Sequence, residues 1–198
     1  AAAEFKGETN ALWEDLISSG VGHVVNRQFS GASDTWENGG TVNPLLMNET
    51  TVSHASASAV NTTFSTYGTN RCLVVLLSAY DNDNVQDPST ITYNGVNLTK
   101  LTSTGTTGWY SGIYYLANPA LGSNTFSLVW RSGQNDSFDV TGRVTIIALQ
   151  GVDQSTPMSS GATSTTSGSS SSVAITTVAG DFVPSVITTS DGTVTVGA

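Results

Sequence analysis

Apolar residues in this chain recur at every second position or in short unbroken runs, which is the pattern of strands in a folded β-protein. Arg71-Cys-Leu-Val-Val-Leu-Leu-Ser-Ala-Tyr80 is an unbroken apolar run of strand length, followed by an Asp/Asn loop. Ile91-Thr-Tyr-Asn-Gly-Val-Asn-Leu-Thr-Lys-Leu101 is two alternating segments hinged on Asn94-Gly95. That dipeptide accepts positive φ at both central positions, so it predicts a type I′ turn and a tight hairpin. Strands are also predicted near Leu45, over Val60–Tyr67, Ile113–Pro119 and Asn124–Trp130, and from Val144 onward. Three more short ones follow at Val173–Val178, Phe182–Thr189 and Thr193–Val196. Pro184 cannot donate to a ladder, so the second of these is expected at an edge or a bulge.

Helical spacing stands out in one place. Leu12, Trp13, Leu16 and Ile17 form an apolar stripe between Asn10, a good N-cap, and Gly20, which suits the left-handed C′ position. A helix this short is marginal alone, so the stripe has to dock, on its own sandwich or on a neighbouring subunit. Gly22–Phe29, with its Val24-Val25 pair, reads as a strand, and residues 30–43 as a Gly-rich loop. Met158–Ser172 is a Ser/Thr/Gly tract with almost nothing to bury, and it reads as an exposed loop. The expected organisation is therefore an N-terminal arm over residues 1–44 and a β-sandwich over residues 45–198.

Charge narrows the partners. Six Lys and Arg stand against fifteen Asp and Glu, a net charge of −9, and the basic residues never cluster. Nucleic acid and anionic membrane surfaces both need a basic footprint, so neither is expected. No apolar run approaches the length of a membrane span. No signal-peptide pattern opens the chain, as expected of a mature secreted form or of a protein that is not exported. The single cysteine, Cys72, excludes an intrachain disulfide, and at the head of an apolar strand it reads as a small buried hydrophobe.

Catalytic chemistry finds little to work with. His23 and His54 share no motif, and no nucleophile elbow, zinc helix or phosphate-binding loop occurs. An enzyme is not expected. Asp81-Asn-Asp-Asn-Val-Gln-Asp87 is the best metal candidate: Asp81, Asp83 and Asp87 can offer calcium several hard oxygen ligands. The same residues are ordinary turn formers, and the loop lacks the glycine and glutamate of an EF-hand. Trp109 and Tyr110, after Gly105-Thr-Thr-Gly108, are placed to stack on a sugar at a loop edge. For most neighbouring aromatics core packing is the competing role.

The segments from Arg71 onward also carry a resemblance. Tyr93-Asn-Gly95, Tyr115-Leu-Ala-Asn-Pro119, Leu149-Gln-Gly-Val-Asp-Gln-Ser-Thr-Pro157 and Thr177-Val-Ala-Gly-Asp-Phe-Val183, in that order, resemble the jelly-roll-like β-sandwich modules of phage virion and tail proteins and of bacterial surface proteins. The resemblance implies an all-β, antiparallel jelly-roll sandwich preceded by a short helical arm. It implies a structural subunit at a virion, extracellular or cell surface, partnered by other copies of itself or by other surface proteins. Leu12, Trp13, Leu16, Ile17, Val24 and Val25 are the expected assembly residues. The other readings are a pilus-like filament subunit and a carbohydrate-binding adhesion module. Such modules continue past the equivalent of Thr193–Val196, so the expectation is either that the sequence is cut short there or that a strand from another chain completes the sandwich.

Overall fold

A run of six consecutive buried side chains, Cys72–Leu77, requires a strand with no wet face. A computed structural model shows how both faces are covered; it describes residues 44–55, 57–81, 85, 87–106, 108–131, 140–165, 172–177 and 181–188. Nine strands occur among them: β1 (Leu45–His54), β2 (Ala59–Thr66), β3 (Cys72–Tyr80), β4 (Thr90–Tyr93), β5 (Val96–Asn97), β6 (Thr99–Thr106), β7 (Trp109–Ala117), β8 (Gly122–Val129) and β9 (Thr141–Gln150). They form a five-stranded sheet, β1-β9-β3-β7-β6, and a four-stranded sheet, β2-β8-β4-β5. The described part is all-β with every ladder antiparallel. No helix occurs among the described residues.

The pairing is nested along the chain. The first strand pairs with the last, β2 with β8, and β3 with β7, while β4 pairs with β5 across the turn. The chain crosses from one sheet to the other at every step except β4–β5 and β6–β7, which stay within one sheet. Leu73, Val75, Leu77, Tyr114, Val144 and Ile146 of the larger sheet meet Val60, Phe64, Ile91, Tyr93, Phe126 and Leu128 of the smaller. Buried Tyr93 donates its hydroxyl to main-chain oxygens of Phe64 and Gly122, at 3.0 and 3.1 Å, so its polar end is satisfied.

The Asn94-Gly95 turn has φ of 49° and 75°, as the type I′ reading requires. Its second arm differs from expectation. Val96 and Asn97 pair with β4, but from Thr99 the chain has switched to the edge of the larger sheet. The apolar alternation of Val96 and Leu98 breaks at Lys100 and Leu101, where the ladder to β7 also shifts register.

The other face of the larger sheet carries a second apolar cluster: Cys72, Val74, Leu76, Ile113, Ile147, Leu149 and Val152. Met158, Phe182 and Val186 pack onto it. Further along the strands this face turns polar, and Thr188 Oγ1 donates to Ser78 Oγ at 2.8 Å. Ser111 Oγ lies 2.6 Å from the same atom. Here two expectations are corrected. Residues 173–177 and 182–188 carry no strand; the second segment lies over the sheet face, and its alternation records one-sided burial without a ladder. Thr193–Val196 lies outside the described residues. β9 lies inside the larger sheet, between β1 and β3, and the sheet's edges are β1 and β6. The arm, with Leu12, Trp13, Leu16, Ile17, Val24 and Val25, also lies outside the described residues.

Candidate functional site

Of the expected site residues, Asp81, Trp109 and Tyr110 meet where β3 ends and β7 begins, and Asp87 reaches them through Tyr110. The register pairs Tyr80 with Trp109 directly across these strands, and Asp81 N–H donates to Gly108 O at 2.9 Å. Period-two alternation then separates the two residues expected to act together. Trp109 points to the outer face, half-buried, and its ring lies 4.4 Å from that of Tyr80 at a 40° tilt. Tyr110 points inward and is 3% exposed. Trp109 and Tyr80 therefore share the outer face, and Tyr110 lies on the inner one. Tyr80 was legible as the outward residue of β3, but its partner is fixed only by the strand register.

Tyr110 belongs to a polar cluster that opens at the sandwich edge. Its hydroxyl donates to Asp87 Oδ1 at 2.8 Å and shares a 2.8 Å hydrogen bond with Tyr114. Lys100 Nζ donates to Asp87 Oδ2 at 2.7 Å. The tyrosines meet because Gly112 lies between them on the same face: a Cβ there would fall 2.6 Å from the Tyr110 hydroxyl oxygen. The ring of Tyr110 also presents an edge contact to Trp130, with centroids 5.9 Å apart. Beside the cluster lies an open depression of about 340 Å³, lined by Val85, Asp87, Ser103, Thr104, Gly105, Tyr110 and Arg131.

The electrostatics of the cluster are those of a tie. Partial burial opposes ionisation of Asp87, but hydrogen bonds from Lys100, Tyr110 and Ser103, with the Lys100 charge, outweigh it and hold its carboxyl below the ordinary range. Burial pushes the Tyr110 hydroxyl up, and the nearby Tyr114 and Asp87 add to the rise. Tyr114 is pushed up to about 12, by burial first and then by the Asp87 carboxylate. A general acid or base works best with a pKa near the working pH, and these groups are moved away from neutrality. Burial likewise pushes the Cys72 thiol up to about 12, which leaves it protonated and a poor nucleophile.

Among the described residues no group of three His, Cys, Asp or Glu converges. Asp81 is buried, Asp83 lies outside the described residues, and both oxygens of Asp87 already accept hydrogen bonds, one from an ammonium. Calcium at Asp87 would compete with the Lys100 ammonium for the carboxylate. Thermal melts with chelator and with millimolar calcium check the loop: a site there raises the Tm by mass action, and superimposable curves remove calcium from the account.

His54, at the end of β1, accepts a 3.1 Å hydrogen bond at Nε2 from Trp130 Nε1. The two rings stack with centroids 5.9 Å apart. Its Nδ1 has no partner among the described residues. Burial lowers its pKa, so the imidazole is neutral at neutral pH. Neither this contact nor the Asp87 cluster was visible in the sequence, since both depend on pairing between strands far apart in the chain. No family model, curated protein or solved structure matches the chain.

Proposed function

We propose that this chain is a jelly-roll sandwich serving as a structural subunit of an extracellular assembly, most specifically a decoration or tail component at a phage virion surface. The observation that carries the reading is the nested pairing of β1 with β9, β2 with β8 and β3 with β7, with β6 added at one edge. A long antiparallel ribbon wrapped around its own core is how a jelly roll manages its sheet edges. Association with other copies or with other virion proteins runs through the arm, whose apolar stripe of Leu12, Trp13, Leu16 and Ile17 needs a partner. The sparse charge leaves a neutral Ser/Thr-rich surface facing outward.

Deleting Ala1–Gly20 tests this. The truncated chain should keep its β-type circular dichroism and lose its oligomers or its attachment to the host particle. Unfolding of the truncated chain would show instead that the helix is part of the core.

A second reading has one observation in its favour. The half-buried Trp109 ring, tilted on Tyr80 at one end of the sandwich, offers an aromatic surface of the kind that stacks on sugars, as in a carbohydrate-binding adhesion module. Saturable glycan binding lost on Trp109→Ala would favour it.

A further inference from the structure

Each sheet of the sandwich has an outer face, and the two differ in cover and in chemistry. The outer face of the larger sheet is packed under Met158, Phe182 and Val186. On the smaller sheet Val60, Phe64, Ile91, Phe126 and Leu128 point into the core, so the residues between them point outward. Asn61, Thr63 and Ser65 of β2 stand directly opposite Ser127, Thr125 and Ser123 of β8, and Thr92 of β4 stands beside Ser127. Asn61, Thr63, Ser123 and Thr125 are exposed, and the other three are half-buried. Among the described residues no hydrogen bond uses the side-chain polar group of any of them. No strand of the smaller sheet carries a charged residue, whereas the larger sheet has Glu49, Lys100 and Arg143. Neighbouring strands lie roughly 4.8 Å apart and same-face residues on one strand roughly 6.7 Å apart, so the face is a regular grid of neutral donors and acceptors. Just past the last pair of this ladder, Thr66 with Gly122, come Tyr67 and Leu121, 50% and 60% exposed.

We propose that this face binds a neutral polysaccharide whose chains pack side by side as a flat surface. This binding goes beyond the assembly reading and does not depend on it. Charge selects the class of partner first. A chain of net charge −9 is repelled by anionic polymers, and a face without a cation gives them no anchor. A face without any charge also loses little on being dried against an uncharged partner, since no ion has to be stripped of water. Protein partners call for a different composition: the centre of a protein interface is anchored by Trp, Tyr and Arg, and Ser and Thr are under-represented there. The centre of this face, at Thr63 and Thr125, has no such anchor. Sugar chains match what is present. Their hydroxyls are donors and acceptors at once, as those of Ser and Thr are. The apolar faces of their rings suit the exposed Tyr67 and Leu121 at the rim. Each hydroxyl contact is weak, so the grid holds a partner only when many form together at small ordering cost. A sheet and a packed polymer are both rigid before they meet, which keeps that cost low, whereas a free monosaccharide offers too few contacts.

The test is depletion of the full chain from solution by microcrystalline cellulose and by chitin. The expected result is saturable retention on at least one of them, equal in low and high salt because no ion pair contributes. Thr125→Glu puts an unpaired carboxylate at the centre of the face and should weaken retention roughly tenfold or more. Thr125→Val keeps the β-branched shape that suits a strand but removes the hydroxyl, and it should weaken retention by a smaller factor. Circular dichroism checks that the variants fold, and Thr63→Glu on the edge strand replaces Thr125→Glu if the latter does not. Trp109→Ala should bind as the parent does. No retention of the parent on either polymer would overturn the proposal, as would retention that Thr125→Glu or Thr63→Glu leaves unchanged. Retention lost on Trp109→Ala but kept on Thr125→Glu would overturn it too, by placing sugar binding at the Trp109 ring. Oligomers broken by Thr125→Glu, with no polysaccharide bound by the parent, would make the face a contact between copies and overturn it as well.

Discussion

Gly142→Val should lower the melting temperature by roughly 6–12 °C, equivalent to about 3 kcal/mol in a domain of this size. Gly142 lies on β9 opposite Ala79 of β3 on one side and His54 of β1 on the other. A Cβ built there falls 2.4 Å from Ser78 O and 3.0 Å from Ala79 Cα. Both atoms belong to the backbone of the central strand, so no side-chain rotation relieves the clash. β9 has to move away from β3 and loses its register at that end. Gly122 is the control. Its φ of +82° disfavours a side chain, but nothing lies within 4 Å of the added Cβ, so Gly122→Ala meets the conformational term alone. Thermal melts of the two variants distinguish close backbone approach from backbone strain.

Trp130→Ala should cost about 3–5 kcal/mol, the range for removing a large buried aromatic. Trp130 is 2% exposed, gives its ring to an edge contact with Tyr110 and donates Nε1–H to His54. The variant should also change the pH dependence of stability. The folded-state pKa of His54 is depressed by burial below 6.5, so between that value and the lower folded value the unfolded chain binds the proton more readily. Stability from this group is therefore complete above about pH 6.5 and declines as the pH falls through that window. Opening the site in Trp130→Ala rehydrates the imidazole and flattens the decline. Urea unfolding at pH 7.5 and at pH 5 measures both effects; an equal acid dependence in the two proteins would show that burial beneath Trp130 is not its source.

The strands were legible where burial leaves a one-dimensional mark. The unbroken run from Cys72 to Leu77 and the Asn94-Gly95 turn announce β3 and the β4–β5 hairpin because each follows from local chemistry. What the pattern lacks is the identity of the neighbour. Alternation over Phe182–Thr188 is real, but it records a segment lying on a sheet face, and residues in a ladder would give the same period. The run in β3 signals two dry faces without saying that Phe182 and Val186 cover one of them. The candidate site shows the same limit. Proximity in sequence groups Asp81, Asp83 and Asp87, and Trp109 with Tyr110. Strand register instead joins Asp87 to Lys100, Tyr110 and Tyr114, and Trp109 to Tyr80. Gly112 was the one quiet cue, since a glycine between two tyrosines on one strand face makes room for their hydroxyls to meet.

Assembly by protein–protein association, the role proposed for this chain, is read in the size of the purified full chain in solution. Light scattering with electron microscopy, from micromolar to millimolar protein, should show discrete oligomers or regular particles whose abundance rises with concentration. A monodisperse monomer throughout that range, unchanged in the presence of other surface proteins, would contradict it.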